Sequence, residues 1–237
     1  MKIAVIVPYY PDERTLDLFQ RCKNSISPQF ILKTVVDHDA AGVSVARNWG
    51  LVEVLKSSDV DYVTFLDADD TFNDNAFEQM CEAINECPEA EIIQLNHERK
   101  KKGYDKWMKH FNSAGWYGLD NLPAFWVAVW NKIFKVDLIR NIRFVEGLNY
   151  GEDEIFNLEC LAKARRIYCS ERIAMTHHFD NPNSLTRTVD VHGLIDEQCS
   201  LMELLCKYND DKELYEVIRQ RQVELWSSAV YKTIQGE

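Results

Sequence analysis

The segment Tyr62-Val63-Thr64-Phe65-Leu66-Asp67-Ala68-Asp69-Asp70 passes from an apolar β-type run straight into three carboxylates within four positions. Carboxylates crowded at the end of a buried strand repel one another unless a cation sits among them. The carboxyl ends of strands are also where open α/β sheets bind ligands. The segment therefore predicts an α/β fold with a metal and nucleotide site at residues 67–70.

Two plainer readings compete with that one. Asp69, Asp70 or Asn73 could cap the helix marked by Phe77, Met80, Cys81 and Ile84, with Phe72 stapling against Phe77. Capping accounts for one polar residue, not three acids. Asp67, Asp69, Thr71, Asn73, Asn75 and Glu78 also fall at EF-hand ligand offsets, but Phe72 stands where that loop needs Gly and the preceding run is a strand.

The flanking sequence alternates in the same βα manner. Ile3–Val7 is wholly apolar, as in strands covered on both faces, and Pro8-Tyr9-Tyr10-Pro11 is expected to stop it. Leu16, Phe19, Cys22 and Ile26 recur at helical spacing, Thr34–Val36 reads as a strand, and Val45, Trp49, Val52 and Leu55 mark a second helix. Glu91–Leu95 gives a further strand, and the series predicts a mostly parallel sheet. Residues 99–124 read as a loop or small insertion, with Arg99-Lys100-Lys101-Lys102 as a solvated tip before Gly103. Phe125–Phe134 returns to a strand-like run, and Glu152–Ala164 reads as a helix opening on Glu152, Asp153 and Glu154, acids that the helix dipole favours there. From Val191 onward, two amphipathic helices carry Leu194, Leu201, Leu204 and Leu205, then Leu214, Val217, Ile218, Leu225 and Val230. They are candidates for capping the core, pairing with a second copy in a homodimer, or lying on a membrane.

Composition narrows the partners. With 27 Lys and Arg against 38 Asp and Glu, the net charge of −11 argues against a nucleic acid, which needs a basic face. Seven cysteines without a CxxC pair, with Cys81, Cys160 and Cys206 on apolar helical faces, suit reduced core thiols in a cytoplasmic protein. No apolar stretch approaches the ~20 residues that span a bilayer. Met1-Lys2 runs directly into a strand, so no signal peptide is expected, and membrane contact would be peripheral, at an inner face.

Six segments in order resemble the family 2 glycosyltransferases of the GT-A type. They are Ile3–Tyr10, Gly42–Leu51 (Gly-Val-Ser-Val-Ala-Arg-Asn-Trp-Gly-Leu), Phe65–Asp70, Trp130–Phe134, Gly151–Asn157 and Asn183–Arg187. The resemblance implies a Rossmann-like, mostly parallel sheet flanked by helices over residues 1–190, with a nucleotide-binding part at about 1–98 and an acceptor-binding part at about 99–190. Residues 191–237 form a C-terminal helical extension outside it. The implied activity is inverting transfer of a sugar from a nucleotide-diphosphate sugar, with uridine the favoured base, to a hydroxyl of a glycan or lipid-linked acceptor.

The same resemblance assigns positions. Pro8, Tyr9 and Tyr10 would lie against the base, Arg47 would hold the nucleotide, and Asp67 and Ala68 would face the ribose. Asp69 would bind Mn²⁺ or Mg²⁺, with His177 or His178 supplying a further metal or phosphate contact, His178 being the metal candidate. Asp153 would be the general base with Glu152 beside it. Asp70, Trp130, Asn131, Lys132, His177 and Arg187 would serve the acceptor side. The chemistry agrees independently: a departing diphosphate needs a hard cation, and a sugar hydroxyl needs a carboxylate to take its proton.

One departure stands out. Val35-Val36-Asp37-His38-Asp39 runs almost directly into Gly42, where the family has a further helix and strand, and a βαβ crossover needs at least ~10 residues. Either Asp37 or Asp39 is then the base-contacting acid, and a catalytically degenerate nucleotide-sugar-binding subunit becomes a competing reading. A sugar-nucleotide pyrophosphorylase is another, though the Gly-free, acidic Pro8–Glu13 turn does not suit a triphosphate. Trp107, Phe111, Trp116, Tyr117 and Trp126 could stack on acceptor sugars or simply pack.

Overall fold

The computed structural model describes residues 1–101, 104–108, 114–119, 127–148, 150–181 and 191–235. Strand β1 (Ile3–Tyr9) is buried along its whole length, as its apolar run requires. It continues through Pro8, because Tyr9 carbonyl still accepts the Asp37 N–H at 2.8 Å on the neighbouring strand. Helix α1 (Leu16–Ser25) leads to β2 (Ile31–Val36), and α2 (Val43–Leu55) leads to β3 (Tyr62–Phe65). Both β2 and β3 pair with β1 in parallel.

Helix α2 buries a different face from the one its large apolar residues suggest. Ala46, Arg47, Gly50, Leu51 and Val54 face inward, while Trp49 and Val52 are exposed. The reason is close approach: a Cβ at Gly50 would lie 2.5 Å from Ile6 Cγ2, so the small residues must meet the sheet.

After β3 the chain forms a two-residue strand β4 (Thr71–Phe72), helix α3 (Ala76–Glu86) and the long β5 (Ile92–Lys101). Next come β6 (Tyr104–Met108), β7 (Gly115–Tyr117), β8 (Lys132–Lys135) and the short α4 (Val136–Ile139). Helix α5 (Glu152–Lys163), β9 (Ile167–His178), α6 (Val191–Lys207) and α7 (Lys212–Gln235) complete the described elements. The sheet runs β2-β1-β3-β8-β5-β9-β4, with β6 on β5 and β7 on β9. Along that path β2, β1, β3, β5 and β9 point one way and β8 and β4 the other.

Several readings of the sequence are decided here. Arg99, Lys100 and Lys101 are not a loop tip: they pair with β6 and, for Arg99 and Lys100, with His177 and His178 of β9. Cross-strand pairing on both sides outweighs the strand-averse charge run. Thr71 and Phe72 belong to β4 and Asn73 Oδ1 accepts a hydrogen bond from Thr176 Oγ1, so the calcium-loop geometry is absent. Asn75 rather than Asn73 precedes α3, and it makes no side-chain cap. Of the thiols, Cys160 is buried and Cys81 half-buried, but Cys206 is exposed, and all seven cysteines are free.

The connection from β2 to α2 is as short as the sequence indicates, six residues from Asp37 to Gly42. Leu201, Leu204, Leu214 and Ile218 of α6 and α7 join one buried cluster with Ile6, Val63, Phe134, Ile155 and Phe156. No described helix is long and apolar enough to cross a membrane.

Candidate active site

Arg47 is the centre around which the acids assemble. Its side chain is 3 % exposed, and three carboxylates surround it. Nη2 donates to Asp67 Oδ1 at 2.9 Å, and Nη1 donates to Glu152 Oε1 at 2.9 Å and Asp153 Oδ1 at 2.6 Å. The Phe144 ring lies 5.2 Å from the guanidinium. A planar cation with a fixed fork suits this task better than Lys. Burial works against the charge of Arg47, yet Asp153, Asp67 and Glu152 outweigh it and hold its proton more tightly than usual.

Asp153 stands in the first turn of α5, which starts from Gly151 at φ +78°, a left-handed value that favours glycine. Its Oδ2 accepts the Val129 N–H at 3.1 Å. Burial raises the Asp153 carboxyl, Arg47 pulls it down, and Glu152 and Asp67 push it up again; the net direction is upward. One cation cannot neutralise three neighbouring acids, so the carboxyl most deprived of water holds its proton longest.

The acids after β3 diverge. Asp67 turns to Arg47. Asp69 Oδ2 accepts from Asn181 Nδ2 at 2.7 Å, and its carboxyl is raised by burial and by the nearby Asp67. Asp70 is fully buried: Oδ1 accepts the His178 N–H at 2.8 Å and Oδ2 lies 3.0 Å from His177 Nδ1. Burial pushes Asp70 up to about 7 against the pull of His177. The two histidines thus part company: His177 meets Asp70 and stacks on Trp130 at 5.2 Å, while His178 Nε2 lies 2.9 Å from Thr71 Oγ1. Burial, then Arg21, lowers His178 to about 4 and leaves it neutral.

The 128–132 loop backs this arrangement. Trp130, Asn131 and Lys132 are buried. Lys132 Nζ donates to Ala128 carbonyl at 2.5 Å and Asn131 Oδ1 at 3.1 Å, holding the loop whose Val129 N–H reaches Asp153. Burial lowers Lys132 to about 7 although Asp153 opposes this.

At the nucleotide end, Tyr9 is buried and stacks on Phe19 at 3.7 Å, whereas Tyr10 is exposed. Pro8 lies within β1, and Ala68 is half-buried against the core that includes Leu66 and Phe72. Asp37 is buried and spends both oxygens on its own turn, accepting Ala41 N–H at 2.9 Å and Gly42 N–H at 2.8 Å. Asp39 is exposed. Arg187 and the Asn183–Arg187 segment lie outside the described residues, as do Phe111, Trp126 and the side chain of Trp107. Trp116 is exposed, with its ring edge-on to Tyr168.

Sequence reasoning missed Arg21, Asp180 and Asn181. Arg21 of α1 donates to Asp69 carbonyl at 2.6 Å and to Asp180 at 2.5 Å, tying the acidic turn to the end of β9. A lone Arg on a helix carries no local signal of such a role.

The sequence model of glycosyl transferase family 2 matches residues 11–152, more than half of the chain. The chain belongs to glycosyl transferase family 2. It is accordingly a glycosyltransferase, and its fold is the GT-A, Rossmann-like type. Among solved structures, S. aureus TarS residues 1–349 in complex with UDP-GlcNAc superposes with a TM-score of 0.74 at 17% identity, covering 92% of this chain and 72% of TarS 1–349. A longer S. aureus TarS structure gives 0.67 at 18% identity, covering 86% of this chain and 40% of the TarS chain. Identities this low establish a shared fold. No curated protein matches the chain in sequence.

Proposed function

We propose that this glycosyltransferase moves a sugar from a nucleotide-diphosphate sugar to a hydroxyl of a glycan or lipid-linked acceptor, with inversion, using Asp153 as general base. The observation that carries the reading is the Arg47 junction. One buried cation ties Asp67, at the mouth of the nucleotide-side strand, to Glu152 and Asp153, at the start of α5. Donor-side and acceptor-side chemistry are thereby held in fixed register, the arrangement a displacement at one carbon requires. A carboxylate with a raised proton affinity is the better acceptor for a hydroxyl proton.

We read Asp69 as the first candidate ligand of a divalent cation; among the described residues no three His, Cys, Asp or Glu side chains converge on a metal site. Asp69 is raised by burial and by Asp67, a repulsion that a hard cation relieves, and its donors are oxygens. Asp69 would hold the ion, with the neutral His178 the second candidate. Such an ion supplies charge to a departing diphosphate. Arg47 and Asp67 orient the donor, with Pro8, Tyr9, Tyr10 and Ala68 beside the base and ribose. Because Asp37 is committed to its own turn, Asp39 is the acid available to the base. Asp70, Trp130, Asn131, Lys132 and His177 are read as the wall behind the acceptor, in keeping with the burial of all but His177. We read residues 1–190 as the transferase domain and 191–237 as its helical extension. The nucleotide bound by TarS makes a UDP-sugar the first donor to try.

Calorimetric titration with UDP, with and without Mn²⁺, is expected to show metal-dependent binding that Asp69→Ala abolishes. UDP release from UDP-GlcNAc is expected to fall in Asp153→Asn while UDP binding persists. Equal turnover by folded wild type and Asp153→Asn would sink the assignment. The degenerate-subunit reading draws on the engaged Asp37 and the short β2–α2 connection; it gains if UDP binds but no donor tested is ever turned over.

A further inference from the structure

The back of the Gly151–Glu154 turn is held by residues that lie beyond the stretch matched by the family. Arg221 of α7 grips Glu154, with Nε donating to Oε1 at 2.6 Å and Nη2 to Oε2 at 3.1 Å. Arg221 also pairs with Glu224 of its own helix. Glu197 of α6 is 1 % exposed, and its carboxyl fills the space beside Gly151. A Cβ at position 151 would overlap Glu197 Cγ, Cδ and Oε1. Glu197 Oε2 has no hydrogen-bond partner among the described residues. Burial and the adjacent Glu154 raise the Glu197 carboxyl.

Consecutive residues of one helical turn therefore face opposite anchors. Glu152 and Asp153 reach forward to Arg47, and Glu154 reaches back to Arg221. Rotating α5 about its axis, or shifting Gly151, would pull Asp153 off both Arg47 and the Val129 N–H. We propose that Arg221 and Glu197 are positioning residues for sugar transfer: from the C-terminal helices, they lock the Gly151–Glu154 turn and fix where Asp153 points. The inference rests on the reading of Asp153 as the base. It makes the extension a working part of the active site. The helices are held to the core independently, through Leu201, Leu204, Leu214 and Ile218, so a change at Arg221 leaves them docked.

The test follows UDP release from UDP-GlcNAc in the full chain, comparing wild type, Asp153→Asn, Arg221→Met, Arg221→Lys and Glu197→Ala. Loss of positioning predicts a fall in kcat of ~10- to 100-fold in Arg221→Met, with the donor KM unchanged, because groups displaced by about an ångström lose rate rather than donor contacts. Arg221→Lys is expected to recover part of that loss, and Glu197→Ala to reproduce it by a separate route should Arg221→Met fold poorly. Amide hydrogen exchange at residues 152–155 is expected to quicken in Arg221→Met, a readout that needs no turnover. Folded Arg221→Met and Glu197→Ala with wild-type kcat and unchanged exchange would overturn the inference. Asp153→Asn equal to wild type would instead overturn the base assignment, which separates the two failures.

Discussion

Two arginines grip opposite sides of the same helical turn, and they differ in how their charge is matched. Arg47 is almost wholly buried and faces Asp67, Glu152 and Asp153, so its surroundings carry an excess of negative charge. Arg221 is 36 % exposed and faces Glu154 and Glu224, with Glu197, its carboxyl raised by burial, beside them. The first junction is electrostatically unfinished, and the acids around it gain from a substrate or cation arriving. The second carries a smaller excess, one cation against Glu154 and Glu224, and Arg221 is partly open to solvent. The larger and more deeply buried excess marks the functional end of the turn, and the smaller, partly solvated one marks the structural end. The front of the turn should therefore respond to mutation through rate, ligand binding and a large loss of stability, and the back through alignment with a smaller cost in stability.

The largest effect expected from breaking the front is on catalysis. Asp153→Asn keeps the shape of the side chain and removes the proton acceptor, so turnover should fall by ~10²- to 10⁴-fold with the fold intact. Circular dichroism and UDP release on the same sample check both halves. Next comes stability. Arg47→Met leaves three carboxylates without their cation and is expected to cost ~3–5 kcal/mol in urea unfolding. Arg221→Met, at a partly exposed site, is expected to cost about 1 kcal/mol. A reversed order would break the contrast between the two arginines.

The unmatched charge also predicts a pH response. Burial and the neighbouring acids raise the Asp153 carboxyl, and only its ionised form accepts a proton, so activity should rise with pH through a midpoint above the ordinary carboxylate range. Glu152→Gln removes one of the charges that raise Asp153, so it should move that midpoint down. A pH–rate profile whose midpoint does not move, or moves upward, would show that Glu152 does not act on Asp153.

The difference between the two junctions also measures what the chain discloses before folding. The acidic strand end, the Gly151–Asn157 motif and the βα alternation were legible because each is a local pattern of polarity against period. What local pattern does not encode is which of three adjacent acids turns inward. Asp70 is fully buried against His177 and the His178 N–H, while Asp67 and Asp69 part toward Arg47 and Asn181. The partners lie on α2, on β9 or just after it, far away in sequence, so only the tertiary fold decides. The same holds for Arg99–Lys101, whose charge reads as loop until β6 and β9 pair with it. Trp49 looks like core until Gly50 draws the other face of α2 onto β1. Arg221 and Glu197 gave no signal at all, since charged residues on an amphipathic helix are expected to face water.

Lys132 supplies the most diagnostic test, because it is a buried amine that belongs to the loop behind the front junction. Burial takes it from its ordinary 10.5 to about 7. Between those two pH values the unfolded chain binds the proton that the folded chain has released, so this group makes stability rise with pH across that window. Below about 7 both states are protonated, and the full cost of burying the ammonium is present. Lys132→Met removes the titration together with the hydrogen bonds to Ala128 and Asn131. Near pH 7 the lost bonds and the relieved burial are expected to offset to within about 1–2 kcal/mol. From pH 7 to 9 the wild type should then gain on the variant at up to about 1.4 kcal/mol per pH unit in urea unfolding. Titrating groups remote from Lys132 cancel in that difference. A gap that stays flat would mean that Asp153 keeps Lys132 charged in the folded protein, and the negative excess at Arg47 would then be smaller than the arrangement of the three acids implies.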